Sequence, residues 1–267
     1  MLFYPNAKIN IGLYITGKRS DGYHSLETIF YPIPLTDALE AVISDTTSFK
    51  QTGIKLESLS EDNLVMKAYN LMSKKYKIPP LDIHLKKAIP SGAGLGGGSA
   101  DAAFMLKLIN NLCDCNINDD KLEKIAESIG ADCPFFIRNK PVIATGTGNI
   151  FKPSDISLKG YTIYIVKPLV AVSTKEAYSN VKPKKTDFSL KELPAIPVPE
   201  WRNVLKNDFE PSVFDKYPMI GDIKDKLYSF GAEYAAMSGS GSAVFGLFKN
   251  TISPIFPDCF VWKGELQ

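Results

Sequence analysis

Apolar and polar residues alternate with a period of two over residues 8–15. This spacing predicts a β-strand, because successive side chains of a strand point to opposite faces. The aliphatic residues of this stretch would face the core, and Lys8 and Asn10 would lie together on the opposite face. The polar residues 18–24 follow, and Asp21-Gly22 marks the tip of a predicted turn.

Further strands and helices are predicted in both halves of the chain. Apolar residues three and four apart favour helices, and short apolar runs bounded by turn residues favour strands. The predicted strands are residues 26–33, 38–44, 81–86, 141–144, 161–166 and 244–248, and the predicted helices are residues 61–76, 101–112, 119–129 and 222–230. Gly130 would end the third helix as its C′ residue. Strands and helices mixed in this way indicate the α+β class.

The order of these elements suggests where the chain divides. A new strand begins after residues 151–160, so we expect two domains, residues 1–155 and 156–267. A chain of 267 residues is long enough for two domains with cores of their own. Proline and lysine are in excess at residues 183–200, which we expect to form a surface loop.

Composition and charge argue against several classes of function. The net charge of +2 provides no global field that would attract nucleic acid. No run of 18 apolar residues occurs and the first residues lack a signal-peptide pattern, so we expect no membrane span and a cytoplasmic location. Of the four cysteines, Cys113 and Cys115 are close in sequence, but no second pair completes a zinc site, and structural or incidental thiols are expected.

A glycine-rich segment between the predicted strand 81–86 and the predicted helix 101–112 is the strongest functional signal. Glycine lets backbone N–H groups approach a ligand closely, and a helix start adds unpaired N–H groups and the positive end of a dipole. The segment therefore favours a polyphosphate site; the alternative is a plain loop. It lacks the lysine of a Walker loop and the spacing of a dinucleotide fingerprint. Its residues are Pro90, Ser91, Gly92, Ala93, Gly94, Leu95, Gly96, Gly97, Gly98, Ser99 and Ala100.

This segment resembles the phosphate loop of the GHMP kinases, which include galactose, homoserine, mevalonate and phosphomevalonate kinases. Asn6-Ala-Lys-Ile-Asn10 precedes it and Met237-Ser-Gly-Ser-Gly-Ser-Ala243 follows it, in the order of that family, so the resemblance covers nearly the whole chain. It implies an N-terminal domain like domain 2 of ribosomal protein S5, a ferredoxin-like C-terminal domain, and an active site between them. It also implies a small-molecule kinase that uses ATP and Mg2+.

Three segments are similar to one group within the family: Ala7-Lys-Ile-Asn10, residues 13–24, and Gly130-Ala-Asp-Cys-Pro-Phe-Phe136. The Asp-Gly-Tyr-His of residues 21–24 distinguishes this group from other members. The resemblance implies transfer of a phosphoryl group from ATP to the 2-hydroxyl of a methylerythritol that carries a cytidine diphosphate, in the non-mevalonate isoprenoid route. The partner would be this small molecule, with no nucleic acid, membrane or obligate protein partner.

The same resemblance assigns residues to the reaction. Asp132 would be the base that accepts the hydroxyl proton, and Lys8 would keep it ionised and stabilise the transferring phosphoryl group. Residues 90–100 and Asn63 would bind ATP. Ser99, at the start of the helix, is suited to be an N-cap, a Mg2+ ligand, or both. Judged as residues alone, Asp132 and Ser99 are equally suited to be helix N-caps, and Lys8 to be a charge on a solvated strand face.

The resemblance also implies a substrate site formed by Asn10, Tyr23, His24 and Tyr178. His24 would hydrogen-bond the cytosine and Tyr23 would hold it by its ring or backbone; otherwise the two residues form an exposed turn. Tyr178 is suited to stack on the base or to be an ordinary helix aromatic. Residues 237–243 would close around phosphates or form a structural turn. The rival functions are another small-molecule kinase of the family and an inactive binding protein of the same fold.

Overall fold

The structure, a computed structural model, describes residues 1–55, 63–184, 186, 188–250 and 254–267. Glu61 and Asp62 of the predicted first helix lie outside the described residues, as do Lys185 and Asp187 of the predicted loop.

The strands form three four-stranded sheets within the described residues. In spatial order, the first sheet contains β1 (Leu2–Phe3), β4 (Ala38–Ile43), β6 (Leu81–Lys87) and β5 (Ser48–Gly53). The second contains β2 (Asn6–Lys18), β3 (His24–Thr36), β7 (Val142–Thr145) and β8 (Ile150–Pro153). The third contains β10 (Tyr234–Met237), β11 (Val244–Phe248), β9 (Thr162–Pro168) and β12 (Cys259–Glu265). Strand β5 is parallel to β6, whereas the third sheet is antiparallel throughout.

Helices alternate with these strands in both halves of the chain. They are α1 (Leu64–Lys75), α2 (Gly97–Leu112), α3 (Asp119–Glu127), α4 (Phe135–Arg138), α5 (Thr174–Ser179), α6 (Trp201–Val204), α7 (Glu210–Lys216) and α8 (Pro218–Ser229). The mixture confirms the predicted α+β class. Among the described residues, none of the helices combines the length and the apolar character needed to cross a membrane.

The chain forms two compact units that interleave along the sequence. The first comprises residues 1–7, 35–91 and 96–140, and the second comprises residues 8–34, 92–95 and 141–267. The glycine-rich segment thus contributes residues to both units. The boundary expected between residues 155 and 156 stays a prediction.

In the first unit, β6 shows the alternation that its sequence predicts. Leu81, Ile83 and Leu85 are fully buried, while the residues between them are exposed or half-buried. His84 Nε2 is hydrogen-bonded to Thr52 Oγ1 at 2.9 Å, which is the structural role expected of a strand histidine. Helices α1 and α2 pack against each other, and Val65 and Ala68 are among the buried residues of α1.

In the second unit, β2 is buried on both faces, which corrects the prediction of a single buried face. Leu13 and Ile15 pack in a hydrophobic core with Tyr164 of β9 and Leu227 of α8, as the aliphatic face predicts. The polar face is buried as well, and Lys8 is only 3% exposed. An alternating pattern cannot reveal this second contact, because it does not show what packs on the polar face.

Three other predictions on local structure were wrong. Helix α2 begins at Gly97, four residues before the predicted start, so part of the glycine-rich segment is helical. Helix α3 ends at Glu127 with Ser128 as its C-cap, so Gly130 is not the C′ residue. The predicted loop 183–200 contains two short 3-10 helices, Leu190–Ala195 and Val198–Glu200, in which Leu190, Leu193 and Val198 are buried.

Candidate functional site

The glycine-rich segment leads from β6 directly into the N-terminus of α2. Gly96 is the N-cap residue, and its left-handed backbone (φ 71°) suits glycine. The first helical hydrogen bond runs from Ala100 N–H to the Gly96 carbonyl at 2.9 Å. The N–H groups of Gly97, Gly98 and Ser99 precede that bond and carry the positive end of the helix dipole, so this turn is suited to bind an anion.

Ser99 is the third residue of α2 and not its N-cap, so the capping interpretation of Ser99 was wrong. Its side chain is a hydrogen-bond partner of the Cys133 thiol, which is fully buried. Burial raises the pKa of Cys133 to about 12, although the hydrogen bond with Ser99 lowers it. The thiol therefore stays protonated. Ser99 therefore presents an oxygen in the first turn of α2 whose orientation is set by a neighbouring side chain.

The loop before α2 takes its shape from glycines with positive φ at alternate positions. Gly92 and Gly94 have φ of 58° and 72°. A Cβ built on Gly94 would lie 1.9 Å from the carbonyl oxygen of Ser238, so no side chain fits there. Pro90 is buried and Ser91 is exposed. Backbone hydrogen bonds from Ser242 N–H and Ala243 N–H to the carbonyls of Gly92 and Ala93, at 3.3 and 3.2 Å, hold the loop against residues 237–243.

Lys8 extends from β2 to the same loop. Its backbone N–H donates to the Leu95 carbonyl at 2.9 Å, and its Nζ donates to the Gly94 carbonyl at 3.1 Å and to Asn10 Oδ1 at 2.5 Å. Nζ also lies 4.8 Å from the centre of the Phe30 ring, within range of a cation–π contact. Lys8 and Asn10 are thus brought together as the strand alternation predicts, but in a buried setting, so the solvated-charge interpretation of Lys8 was wrong.

Asp132 lies in the turn that precedes α4. The N-cap of that helix is Pro134, with no side-chain capping bond, so the capping interpretation of Asp132 was wrong. Asp132 is half-buried next to Cys133, whose side chain is in turn hydrogen-bonded to Ser99. Its role as a base remains a prediction.

Asn63 is the N-cap of α1. Its Oδ1 accepts from Val65 N–H at 2.9 Å, and its Nδ2 donates to Gln51 Oε1 at 3.3 Å. Both functional groups of this amide are engaged in the fold, and Asn63 is 8% exposed. Its predicted contact with ATP remains a prediction.

Of the predicted substrate residues, Tyr23 and His24 lie at the turn between β2 and β3, whereas Asn10 lies within β2 and Tyr178 on α5. Tyr23 is 68% exposed, and its backbone N–H donates to Asp21 Oδ1 at 3.0 Å. The His24 ring stacks on Tyr178 of α5, with centroids 5.0 Å apart and an interplanar angle of 24°. The rings of Tyr178 and Phe209 are packed edge to face, with their centroids 4.8 Å apart. The structure therefore brings His24 and Tyr178 together as one aromatic pair backed by a core residue.

A buried cluster of charges beneath the glycine loop was missed by the sequence analysis. Lys87, the last residue of β6, bonds Asp37 and also Asp101, the latter at 2.7 Å. Asp37 Oδ1 accepts the N–H groups of Ala88 and Ile89 at 2.5 and 2.8 Å. These contacts fix the chain immediately before the loop and the second turn of α2 immediately after it. The sequence does contain one indication of this cluster. Lys87 follows Leu81, Ile83 and Leu85 with the same period of two, which places it on the buried face of β6.

Buried polar residues around residues 237–243 were missed as well. Asn207 Nδ2 donates to the carbonyls of Met237 and Gly239 at 2.8 and 2.9 Å, and Ser238 Oγ donates to the Gly94 carbonyl at 2.9 Å. Asn207 and Ser238 are 4% and 0% exposed. The sequence shows both residues, but it does not show which distant backbone groups they satisfy.

The described residues contain no cluster of three or more His, Cys, Asp or Glu side chains that would hold a metal ion by itself. Cys113 and Cys115 are free thiols. Protein sites for Mg2+ commonly supply only one or two oxygens and leave the rest to phosphates and water. The oriented hydroxyl of Ser99, in a turn suited to phosphate, fits that donor set.

Two family models match the chain. Residues 63–140 match the GHMP kinase N-terminal domain, and residues 190–254 match the GHMP kinase C-terminal domain. The chain is 61% identical to a 4-diphosphocytidyl-2-C-methyl-D-erythritol kinase of Parabacteroides distasonis, with 100% of both chains covered. It is 41% identical to the kinase of the same name from Chlorobium phaeobacteroides, over 91% of this chain and 87% of the relative.

Solved structures give the same result at the level of the fold. A crystal structure of 4-(cytidine 5'-diphospho)-2C-methyl-D-erythritol kinase superposes with a TM-score of 0.83 at 28% identity, covering 100% of this chain and 99% of the other. A homoserine kinase from Cytophaga hutchinsonii superposes with a TM-score of 0.65 at 17% identity, covering 99% and 94%, which is a likeness of fold alone.

Proposed function

We propose that this chain transfers the γ-phosphoryl group of ATP to the 2-hydroxyl of 4-diphosphocytidyl-2-C-methyl-D-erythritol, in the non-mevalonate isoprenoid pathway. The chain belongs to the GHMP kinase family and, within it, to the kinases that are named for this substrate. The observation that carries the choice of substrate is the 61% identity over the full length of a relative of that name. The stacked pair of His24 and Tyr178 supports it, because an aromatic pair beside an exposed turn is suited to a nucleobase.

The triphosphate of ATP would bind at the N-terminus of α2. The N–H groups of Gly97, Gly98 and Ser99 would donate to phosphate oxygens, and the absence of side chains at the two glycines permits close approach. Mg2+, when bound, would neutralise part of the charge on the phosphates, and Ser99 would be its protein ligand. Asn63 would contact the nucleotide from the start of α1.

Asp132 would accept the proton of the 2-hydroxyl as that oxygen attacks the γ-phosphorus. Lys8 would stabilise the negative charge that develops on the transferring phosphoryl group, because its ammonium is buried and already held by two oxygen acceptors. A buried cation whose position is fixed in advance needs little reorganisation during the reaction. Tyr23 and Asn10 would complete the substrate site around His24. The enzyme would act in the cytoplasm, on a small molecule and without an obligate protein partner.

Phosphorus NMR of the product tests this proposal. The protein is incubated with ATP, Mg2+ and 4-diphosphocytidyl-2-C-methyl-D-erythritol, and a new phosphomonoester signal attached to the tertiary carbon is expected. Homoserine, mevalonate and phosphomevalonate serve as comparison substrates. Turnover of one of these in place of the cytidine substrate would favour another kinase of the family, and binding of ATP without turnover of any alcohol would favour an inactive binding protein.

A further inference from the structure

The carbonyl oxygen of Gly94 accepts hydrogen bonds from two side chains. One comes from Lys8 Nζ at 3.1 Å and the other from Ser238 Oγ at 2.9 Å. Ser238 Oγ also accepts from the backbone N–H of Asn10 at 3.3 Å. One hydroxyl therefore connects the carbonyl that holds the Lys8 ammonium with the strand from which Lys8 extends.

A second acceptor of Lys8 belongs to Asn10, whose backbone N–H donates to the same hydroxyl. Lys8 Nζ donates to Asn10 Oδ1 at 2.5 Å, and Asn10 Nδ2 donates to Thr28 Oγ1 at 3.1 Å. The backbone of Asn10 is the group that Ser238 bonds. Ser238 Oγ thus contacts the Gly94 carbonyl and the backbone of Asn10, the two residues that supply these acceptors.

Ser238 is itself fixed on both sides. Asn207 Nδ2 bonds the carbonyls of Met237 and Gly239, which flank it, and Ser238 N–H donates to the Ala243 carbonyl at 2.9 Å. The Ser238 carbonyl also lies where a Cβ on Gly94 would be, so the two backbones are in direct contact. These contacts fix the position of Ser238, and its hydroxyl can therefore hold the Gly94 carbonyl in place.

We propose that Ser238 is a positioning residue for phosphoryl transfer: its hydroxyl holds the Gly94 carbonyl and the Asn10 backbone so that the Lys8 ammonium keeps a single direction. The inference rests on the proposed function, in which Lys8 stabilises the transferring phosphoryl group. It assigns Ser238, and not the neighbouring Ser242, a role in holding the catalytic lysine. A misplacement of about 1 Å in a reacting group can lower a rate by about 100-fold.

The variant Ser238→Ala removes this hydroxyl, and Ser242→Ala is its matched control. Ser242 belongs to the same segment, is also 0% exposed, and donates its hydroxyl to the Val170 carbonyl at 2.7 Å, away from Lys8. We expect Ser238→Ala to lower kcat about 10- to 100-fold with a KM for ATP within about threefold of the wild type. The Ser242→Ala protein should lose about as much thermal stability as Ser238→Ala, and its kcat should stay within about twofold of the wild-type value. Equal kcat values in the two variants would overturn the proposal.

A double-mutant cycle tests whether Ser238 acts through Lys8. Residues that act as a unit give effects that do not add, so Ser238→Ala should lower kcat by less than about twofold once Lys8 is already Met. A full additional loss in the Lys8→Met background would mean that Ser238 acts on something else, and the proposal would fall.

Labelling of Lys8 gives a readout that needs no substrate. The folded variants are treated with an amine-directed reagent, and modification of Lys8 is followed by peptide mass spectrometry. Ser238→Ala should raise the rate at Lys8, whereas Ser242→Ala should leave it at the wild-type value. If the wild-type protein fails to phosphorylate the cytidine substrate, the proposed function fails, and this comparison still decides whether Ser238 holds Lys8: equal labelling in all three proteins overturns the inference.

Discussion

Asp101 Oδ2 accepts a hydrogen bond from Lys87 Nζ at 2.7 Å, and both side chains are buried. Asp37 bonds the same ammonium, so two acidic side chains share one cation. Burial raises the pKa of Asp101 to about 7; Lys87 opposes this shift and Asp37 adds to it. Asp101 Oδ1 has no hydrogen-bond partner among the described residues. This oxygen is therefore buried without a hydrogen bond, in a cluster whose Lys87 and Asp37 side chains are hydrogen-bonded.

The pKa of Asp101 predicts that this group makes the protein less stable as the pH rises from about 4 to about 7. The folded protein keeps a proton on Asp101 that the unfolded chain releases above about pH 4, so the unfolded state binds fewer protons in this window and the free energy of unfolding falls with pH. Melting temperatures of the wild type and of Asp101→Asn measure the effect. The stability of the wild type relative to the Asn variant should fall from about pH 4 to about pH 7 and level off above it, and parallel curves would contradict the prediction.

Asp132→Asn should lower phosphoryl transfer by about 10²- to 10⁴-fold, because the amide cannot accept the hydroxyl proton. Binding of ATP should be unchanged, since the N–H groups at the start of α2 are unaffected. Single-turnover measurements of product and a separate nucleotide titration check the two parts. A variant that retains more than about a third of the chemical rate would show that Asp132 is not the base.

Gly98→Ala should separate stability from nucleotide binding. Among the described residues, a Cβ on Gly98 would meet only Leu64 Cδ1, at an ordinary 3.6 Å, and alanine is favoured over glycine in a helix by about 1 kcal/mol. The melting temperature should therefore stay or rise, while the added methyl group should weaken ATP binding by about tenfold or more by blocking charge-assisted hydrogen bonds.

Gly97→Ala is the contrasting variant for that experiment. Its Cβ would lie 2.8 Å from Ile89 Cγ2, so it should lower the melting temperature as well. An ATP affinity of Gly98→Ala equal to that of the wild type would place the phosphate site elsewhere.

His24→Ala should weaken the use of the cytidine substrate and spare ATP. Loss of one hydrogen bond to a neutral base edge costs about 0.5–1.5 kcal/mol, which is roughly 2- to 13-fold in kcat/KM. Steady-state kinetics with each substrate varied in turn measure the effect. A proportionate loss for both substrates would indicate a folding defect, and no loss for either would remove His24 from the base site.

Much of the fold could be predicted from local patterns. Strand β11 has the predicted bounds, 244–248, because a short apolar run follows a Gly/Ser turn, and β6 shows the predicted alternation. The start of α2 was placed too late because glycine has low helix propensity, whereas here Ile89 packs so closely on Gly97 that a Cβ would lie 2.8 Å from its Cγ2. Local propensity was overridden by packing at this position.

The candidate site was predictable where its residues are adjacent in sequence and not where they meet through the fold. Residues 90–100 form one continuous motif, and Lys8 and Asn10 follow from a strand period. Ser238 reaches Gly94 across 144 positions, and Lys87 reaches Asp37 across 50. A polar side chain gives no sign in the sequence of the distant group that it will bond, although the inward position of Lys87 in β6 could have suggested a buried ion pair.

The stack of His24 on Tyr178 continues inward to Phe209, whose backbone N–H donates to Asn207 Oδ1 at 3.0 Å. Asn207 is also the residue that holds the carbonyls of Met237 and Gly239. Aromatic rings shift the magnetic environment of their neighbours, so the resonances of Phe209 should sense whether a nucleobase has displaced the His24 ring. The chemical shifts of isotopically labelled Phe209, a core residue, would thus report whether the site is occupied, with no probe attached at the surface.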